Sequence, residues 1–448
     1  MKQLFLLCIL IIATKAWGNL HLAPPDFDTP SGRAVFIDMT NAHHDIVFDG
    51  FKRQATATST IRFEQKSRGL PIFDLVPEPS SVKIDGEEVA QTLTMLPDNG
   101  SQVRVVQKLL APGTYTLTVT NRISENVRFS PFRNVSAAFW IRDLKARMFW
   151  EQYLPVNLEF DQHPRSMDLS FKGRKVHNQV IHANGTVTKT GTNKWRIEYP
   201  AWYTVSAPYF HTMRKGARRT LYFTLKSIDG REIPATVYTF FPWSVKKYAE
   251  EMKRVFVELE NDYGPWPHDV SIAYGAGLGG MEHSGATMTS FAALDHEMLH
   301  SYFAKGVLPV NGNAGWIDEA IASWRDYGYF RSAVPGVPAN LAGRGPYARN
   351  TNSQAYEYGR NFLGYLDYLM QDMGGLKAFL RGYFQNYKYT LVTTEHFINN
   401  LEFFTGMDLK ELFQENVFTP TPGRKSHSHD AFNPNHPEVS PELLKSRL

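Results

Sequence analysis

The chain has 448 residues, of which 43% are hydrophobic and 21% are charged. A domain usually has roughly 100–200 residues, so two or three domains are expected. The formal net charge is only +4, so we expect neither nucleic acid nor an acidic lipid surface as a partner.

Residues 1–18 have the pattern of a secretory signal peptide. Lys2 precedes an apolar run from Leu4 to Ala13, and small residues follow before Asn19. The run is too short to span a bilayer of about 30 Å, so a membrane anchor is the less favoured interpretation. The single cysteine, Cys8, lies inside this run. The mature chain then has no disulfides, and we expect a secreted or periplasmic protein without an integral membrane segment.

The segment 19–240 is predicted to be a β-rich N-terminal domain. Turn signals such as Asp85-Gly86 and Asp229-Gly230 separate short stretches that are typical of strands. The predicted strands are 34–39, 56–63, 114–120, 167–171, 194–199 and 219–225.

After Pro242 the apolar residues take up helical spacing, from Tyr248 to Tyr263, and Gly264 ends the pattern. We predict a mainly helical domain over 241–421. A short strand at 269–274 precedes a glycine-rich loop, and further helical patterns cover 290–304, 317–330, 355–372, 376–383 and 394–404. The Pro-, Ser- and His-rich segment 422–448 is predicted to be a disordered tail. Its histidines are expected to be solvated rather than to bind metal: His427, His429 and His436.

Residues 296–300 read His-Glu-Met-Leu-His. On a helix, His296 and His300 lie one turn apart on the same face, so both imidazoles can bind one ion. Zinc accepts such nitrogen ligands and leaves a position open for water in a catalytic site. Glu297 is then placed to take a proton from that water as a general base. The alternative is a pair of helix histidines with ordinary packing roles.

A third ligand strengthens the metal interpretation. Glu319 follows His300 after 18 residues and opens the next helical pattern, which leaves a loop for the chain to turn back. The predicted site is one Zn²⁺ held by His296, His300 and Glu319. Asp326 lies two helical turns beyond Glu319 and is placed either to hold a liganding imidazole or to be a solvated helix charge.

These residues resemble the gluzincin zinc metallopeptidases, and specifically the membrane-alanine aminopeptidase family that includes leukotriene A4 hydrolase. The family pattern is HExxH, 18 residues, and a glutamate within W-x-x-E-G. Here it reads HEMLH and WIDEA, with Ala320 where glycine is usual. The resemblance implies an α+β chain: a β-rich N-terminal domain followed by a thermolysin-like, mainly helical zinc catalytic domain.

A second segment resembles the motif with which this family recognises its substrate. The family has a GAMEN motif whose glutamate binds the free α-amine of the substrate. The corresponding segment, which ends 12 residues before His296, is Gly279, Gly280, Met281, Glu282 and His283. Glu282 then corresponds to the amine-binding residue, and the glycines suit an edge that pairs with a peptide. His283 departs from the usual asparagine and is similar to the glycyl aminopeptidases; a plain turn before a helix is the alternative.

The family's oxyanion-stabilising tyrosine corresponds to Tyr356, within Tyr356-Glu357-Tyr358-Gly359, which resembles Y-x-K-G. A phenol in a dry cleft stabilises charge that develops in the transition state. Tyr358 remains an alternative, because aromatic packing in a tyrosine-rich helix explains either residue.

The resulting hypothesis is a zinc aminopeptidase that removes N-terminal residues from peptides, with one Zn²⁺, a water activated by Glu297, and peptides with a free N-terminus as partners. Two alternatives stay open. One is a zinc endopeptidase of the same fold, and the other is a catalytically inactive peptide-binding homologue.

Overall fold

The computed structural model describes residues 19–418, apart from 99, 131–133, 142–144, 158–159, 174–175, 241–242 and 278. The predicted signal peptide and the predicted tail with its three histidines lie outside the described residues. Every helix in the described part is too short or too polar to cross a bilayer.

The first half of the described chain is built from strands. In chain order they are β1 Phe27–Thr29, β2 Gly32–Val35, β3 Asp38–Asp49, β4 Gln54–Gln65, β5 Leu70–Phe73, β6 Pro79–Ile84, β7 Glu87–Glu88, β8 Gln91–Met95, β9 Gln102–Val106, β10 Gly113–Ile123, β11 Val127–Phe129, β12 Val135–Phe139, β13 Arg165–Lys172, β14 Gln179–Ala183, β15 Thr186–Gly191, β16 Lys194–Tyr199, β17 Phe210–Arg214, β18 Arg219–Lys226 and β19 Glu232–Thr239.

Strands β1 to β17 form three sheets. The largest has the order β15-β16-β13-β3-β4-β10-β6-β7, and two smaller ones have the orders β1-β2-β5-β9-β8 and β11-β12-β17-β14. Alternating residues of the long strands face the core, as in β4, where the odd-numbered residues from Ala55 to Gln65 are buried. One predicted strand is wrong in detail. Residues 34–39 span the end of β2 and the start of β3, because the chain passes there from one sheet to another.

The second half contains most of the helix. Its elements are α1 Val245–Tyr263, β20 Ser271–Gly275, β21 Gly280–His283, β22 Ala286–Thr289, α2 Leu294–Leu299, β23 Leu308–Pro309, α3 Trp316–Asp326, α4 Tyr358–Leu369, α5 Gly375–Tyr387, β24 Leu391–Val392, α6 Thr394–Thr405 and α7 Lys410–Asn416. The β-rich half followed by a helical half confirms the predicted fold class.

Local signals set the helix ends. Ser244 accepts a hydrogen bond from Lys247 N at the start of α1, and Gly264 ends the helix with a φ of 110°. Such caps satisfy backbone groups that the helix leaves unpaired. The helix predicted over 290–304 is much shorter, because a 3₁₀ turn at Phe291–Ala293 precedes α2 and His300 is already its C-cap residue.

The sheet of the helical half has the order β18-β19-β20-β22-β21. Strands β18 and β19 lie within the range predicted for the N-terminal domain, but β18 pairs with β19 and β19 pairs with β20, and apolar residues of both strands share a core with α1. The domain ranges 19–240 and 241–421 stay predictions, and this pairing favours a boundary before Arg219. Strand β21 is the edge strand of the sheet and lies beside the candidate site.

The ion pair between Asp74 and Arg349 and a shared cavity join the two halves. The buried carboxylate of Asp74, in the N-terminal half, lies 2.7 Å from Arg349 and 2.8 Å from Arg147. A cavity next to these residues has walls from both halves, with Phe149 and Ser206 on one side and Glu282 on the other. The candidate site is therefore at the junction of the β-rich and helical halves.

Candidate metal centre

Helix α2 presents the two predicted histidines to one side and its apolar residues to the core. Leu294, Met298 and Leu299 pack into the core of the helical half. His300 is buried, while the side chain of His296 is 15% exposed. The four-residue spacing keeps the imidazoles together, with ring centroids 4.9 Å apart.

Helix α3 brings the third predicted ligand to the same point. Oε2 of Glu319 lies 3.5 Å from Nε2 of His296 and 3.6 Å from Nε2 of His300. Two atoms bound at about 2.0–2.1 Å to a tetrahedral ion are about 3.4 Å apart, so this spacing fits one zinc ion. Oε2 of Glu319 is buried and has no hydrogen-bond partner among the described residues. The donor set of two imidazoles and one carboxylate therefore fits a catalytic zinc site.

The two imidazoles are held from behind by other groups. Nδ1 of His296 lies 2.6 Å from Oδ2 of Asp326, which agrees with the first of the two alternatives for Asp326, a residue that holds a liganding imidazole. Nδ1 of His300 lies 3.2 Å from the carbonyl oxygen of Phe303 and 3.7 Å from Asp318. Such partners fix which ring nitrogen faces the ion. Burial lowers the pKa of His296, but the hydrogen bond to Asp326 and the nearby carboxylate of Glu319 outweigh it and raise the pKa to about 11.

Glu297, the predicted general base, lies between α2 and strand β21. Its side chain is buried, and a Cβ atom at Gly280 would be 2.2 Å from its Oε1. Only glycine at position 280 leaves room for the carboxylate in this place. Burial raises the pKa of Glu297, and the neighbouring carboxylate of Glu282 raises it further. A raised pKa makes a carboxylate a better proton acceptor.

The predicted substrate segment forms edge strand β21, preceded by Gly279, which has a φ of 75°. Successive side chains of a strand point to opposite faces. Gly280 and Glu282 face the metal residues, and Glu282, Glu297 and His300 have ligand atoms within 4.8 Å of one another. Met281 packs into the core of the N-terminal sheets, and Nδ1 of His283 lies 2.9 Å from the Pro208 carbonyl. The side chains of Met281 and His283 are therefore not brought to the site.

Tyr356 lies in a 3₁₀ turn, Ser353–Tyr356, rather than in the long helix predicted over 355–372. Its ring is nearly parallel to that of His296, with centroids 6.2 Å apart. Tyr356 is 42% exposed, and partial burial together with the nearby Glu319 carboxylate raises its pKa far above the usual range. Tyr358 begins α4 and has no described contact with the histidines or Glu319.

Two charged residues of the site were missed in the sequence. Lys305 is 3% exposed and ion-paired with Glu282, and Asp318 is 5% exposed beside His300. A lysine within the otherwise apolar stretch 302–310 was a signal for a buried role, because lysine is rarely buried without a partner.

Comparison with solved structures identifies the fold. Native yeast LTA4 hydrolase matches with a TM-score of 0.60 and 14% sequence identity, over 87% of this chain and 69% of that chain. A variant of an M1 zinc metallopeptidase from Deinococcus radiodurans matches with a TM-score of 0.60 and 15% sequence identity, over 86% of this chain and 96% of that chain. The same variant bound to a Tyr-Ser-Ala substrate matches with a TM-score of 0.60 and 14% sequence identity, over 86% of this chain and 95% of that chain. The chain has the fold of the M1 zinc metallopeptidases.

No protein-family model and no curated protein matches the sequence. The M1-type fold confirms the expected succession of a β-rich domain and a mainly helical domain. The zinc ligands His296, His300 and Glu319 lie together at the junction of the halves, while their roles and those of Glu297, Glu282 and Tyr356 stay predictions.

Proposed function

We propose that this chain is a zinc-dependent aminopeptidase that removes N-terminal residues from peptides. The observation that supports it best is the convergence of the two histidine Nε2 atoms on Oε2 of Glu319, with the buried carboxylate of Glu297 beside them. This set matches the HExxH chemistry of metallopeptidases, in which the glutamate is not a ligand but a base.

His296, His300 and Glu319 would hold one Zn²⁺. When bound, the ion would polarise the peptide carbonyl and lower the pKa of a water molecule toward about 7. Asp326 orients His296, and the Phe303 carbonyl orients His300, so that both Nε2 atoms face the ion.

The remaining steps belong to side chains of this chain. Glu297 takes a proton from the attacking water and delivers it to the leaving amine. The Tyr356 hydroxyl donates a hydrogen bond to the carbonyl oxygen as negative charge develops there. Glu282 binds the α-ammonium group of the first residue, because a buried ammonium requires a carboxylate partner.

Edge strand β21 is suited to align the peptide. It pairs with β22 on one side and is the terminal strand of its sheet. An extended peptide can add to such an edge through backbone hydrogen bonds. The M1 zinc metallopeptidase variant from Deinococcus radiodurans was solved with a Tyr-Ser-Ala substrate, which supports a peptide as the ligand of this fold.

The test is a panel of aminoacyl-arylamides and their N-acetylated counterparts, with and without a chelator. We expect hydrolysis of the free-amine substrates, loss of hydrolysis in chelator, and its return when Zn²⁺ is added. Glu297→Gln is expected to abolish turnover while retaining one zinc ion per chain. Glu282→Ala is expected to impair free-amine substrates mainly.

Other outcomes of this panel identify the alternatives. Equal cleavage of acetylated and free substrates by the parent would indicate an endopeptidase. Tight binding of peptides without turnover in the zinc-loaded protein would indicate an inactive peptide-binding homologue. We also propose a secreted or periplasmic location, which fractionation of cells that express the full chain would test: a product that stays in the cytoplasm would contradict it.

A further inference from the structure

The carboxylate of Glu282 already has a cationic partner inside the protein. Its Oε1 lies 3.3 Å from Nζ of Lys305, and both side chains are only 4% exposed. The same Nζ donates a hydrogen bond of 2.6 Å to Oγ of Ser206. The residue assigned to the substrate amine therefore has a partner before any substrate arrives.

A turn after the second histidine directs Lys305 into the site. Ala304 has a φ of 108°, a backbone region that residues other than glycine rarely adopt. Lys305 N donates to the His300 carbonyl at 2.8 Å, and Ala304 N donates to the Val307 carbonyl at 3.0 Å. The turn keeps the lysine against α2 instead of solvent. Backbone strain of this kind persists where the surrounding structure holds it, often at functional sites.

Lys305 and Glu282 line a cavity of about 60 Å³, which Asp318 also lines. Oδ1 of Asp318 is buried and has no hydrogen-bond partner among the described residues. It lines the same small cavity as Lys305, so the lysine has a second acidic side chain beside it. An ammonium group that pairs with Glu282 in so small a cavity meets the cation of Lys305 already bound to that carboxylate.

We propose that Lys305 is a specificity-determining residue that competes with the substrate α-ammonium for Glu282 and turns to Asp318 when substrate binds. The inference rests on the proposed aminopeptidase function. Pairing of the substrate amine replaces an existing cation–carboxylate contact, so its net gain is the difference between two similar contacts. Recognition of the free N-terminus is thereby weaker than a lone buried carboxylate would give.

The experiment measures binding rather than turnover. In a zinc-loaded Glu297→Gln background, calorimetry compares an aminoacyl-arylamide with its N-acetylated counterpart. Adding Lys305→Met is expected to tighten binding of the free-amine ligand by about tenfold, since close charge pairs couple at least this strongly. Binding of the acetylated ligand should stay unchanged. Asp318→Asn should weaken binding of the free-amine ligand several-fold and leave binding of the acetylated ligand unchanged.

Lys410→Met, at the exposed start of α7, is the matched control. If Lys305→Met does not fold, Lys305→Gln removes the same charge and can still bond Ser206, and the same result is expected. Equal changes for both ligands, no change, or weaker binding of the free-amine ligand in the lysine variant would overturn the proposal. Failure of the aminopeptidase function would appear separately, as a parent protein that hydrolyses no arylamide.

Discussion

Gly280 on β21 and Glu297 on α2 are in direct contact, and a Cβ atom at position 280 would lie 2.2 Å from Oε1 of Glu297. The same atom would lie 2.5 Å from Cδ and Cγ of that side chain. The missing side chain at Gly280 is therefore what allows the candidate base to lie against the edge strand.

The first prediction concerns this contact. Gly280→Ala should push the Glu297 carboxylate out of place and lower kcat by about 100-fold, since a displacement of about 1 Å from productive geometry has that effect. Zinc content and the far-UV circular dichroism spectrum should match the parent. The control is Gly382→Ala in α5, where a Cβ atom meets nothing within 4 Å. A Gly280→Ala enzyme with parental kcat would contradict the placement of Glu297 as the base.

Asp326 supports the metal site from behind His296, at 2.6 Å. Asp326→Asn should weaken zinc affinity by about 10- to 100-fold, because an amide holds the imidazole less strongly and without charge. Competition with a chromogenic chelator measures this. Asp372→Asn, at an exposed aspartate in the helical half, should leave zinc affinity unchanged. Equal affinities for the parent and the Asp326 variant would show that His296 is oriented by something else.

Tyr356 and Tyr358 can be separated by matched substitutions. Tyr356→Phe removes the hydroxyl that faces Glu319 and should lower kcat by about 100- to 1000-fold, the usual loss for one oxyanion donor. KM should change little, because the bond strengthens in the transition state. Tyr358→Phe should retain most activity. The reverse ranking of the two variants would assign the oxyanion role to Tyr358.

Ala320 occupies the position where the resembled family has glycine, and Gly359 accommodates it. A Cβ atom at Gly359 would lie 2.9 Å from Cβ of Ala320, between the tightly packed helices α3 and α4. Gly359→Ala should destabilise the protein by about 1–3 kcal/mol through overpacking. The double variant Gly359→Ala/Ala320→Gly should regain most of that loss in urea unfolding. Additive destabilisation in the double variant would mean that the two positions do not share one space.

Acid stability depends on buried neutral histidines, and His182 gives the simplest case. Its ring stacks on Tyr238 with centroids 4.1 Å apart, and burial lowers its pKa to about 4. The unfolded chain, with a pKa of about 6.5, binds this proton first as the pH falls. The contribution of the neutral His182 imidazole to the free energy of unfolding, on the order of 3 kcal/mol, is therefore fully present above about pH 6.5 and is lost as the pH falls toward 4.

The check is the pH dependence of the free energy of unfolding. His182→Phe retains an aromatic ring against Tyr238 and should make the fall in stability between pH 6.5 and 4 shallower. His21→Phe, at an exposed residue, should leave the slope as in the parent. An unchanged slope in the His182 variant would mean that the imidazole takes up its proton at the same pH in the folded and unfolded states.

Much of the metal site could be predicted from the sequence because its determinants are local. The spacing of His296 and His300 depends on one helical turn, and helix caps such as Gly264 depend on neighbouring residues alone. The third ligand, Glu319, needed only the assumption that a second helix follows. The same local patterns also indicated a β-rich half and a helical half.

Tertiary structure decided everything that joins residues distant in sequence. Strand alternation does not state which sheet a strand joins, so it does not show that β19 pairs with β20 or that residues 34–39 belong to strands of two different sheets. No periodicity relates Lys305 to Glu282, or Gly280 to Glu297. The residues of each pair are in contact because the sheet edge packs beside α2, and only three-dimensional packing determines which residues come into contact. The sequence by itself thus determined the predicted metal ligands, because their spacing is local, and the packing of β21 against α2 decided which other side chains lie beside them.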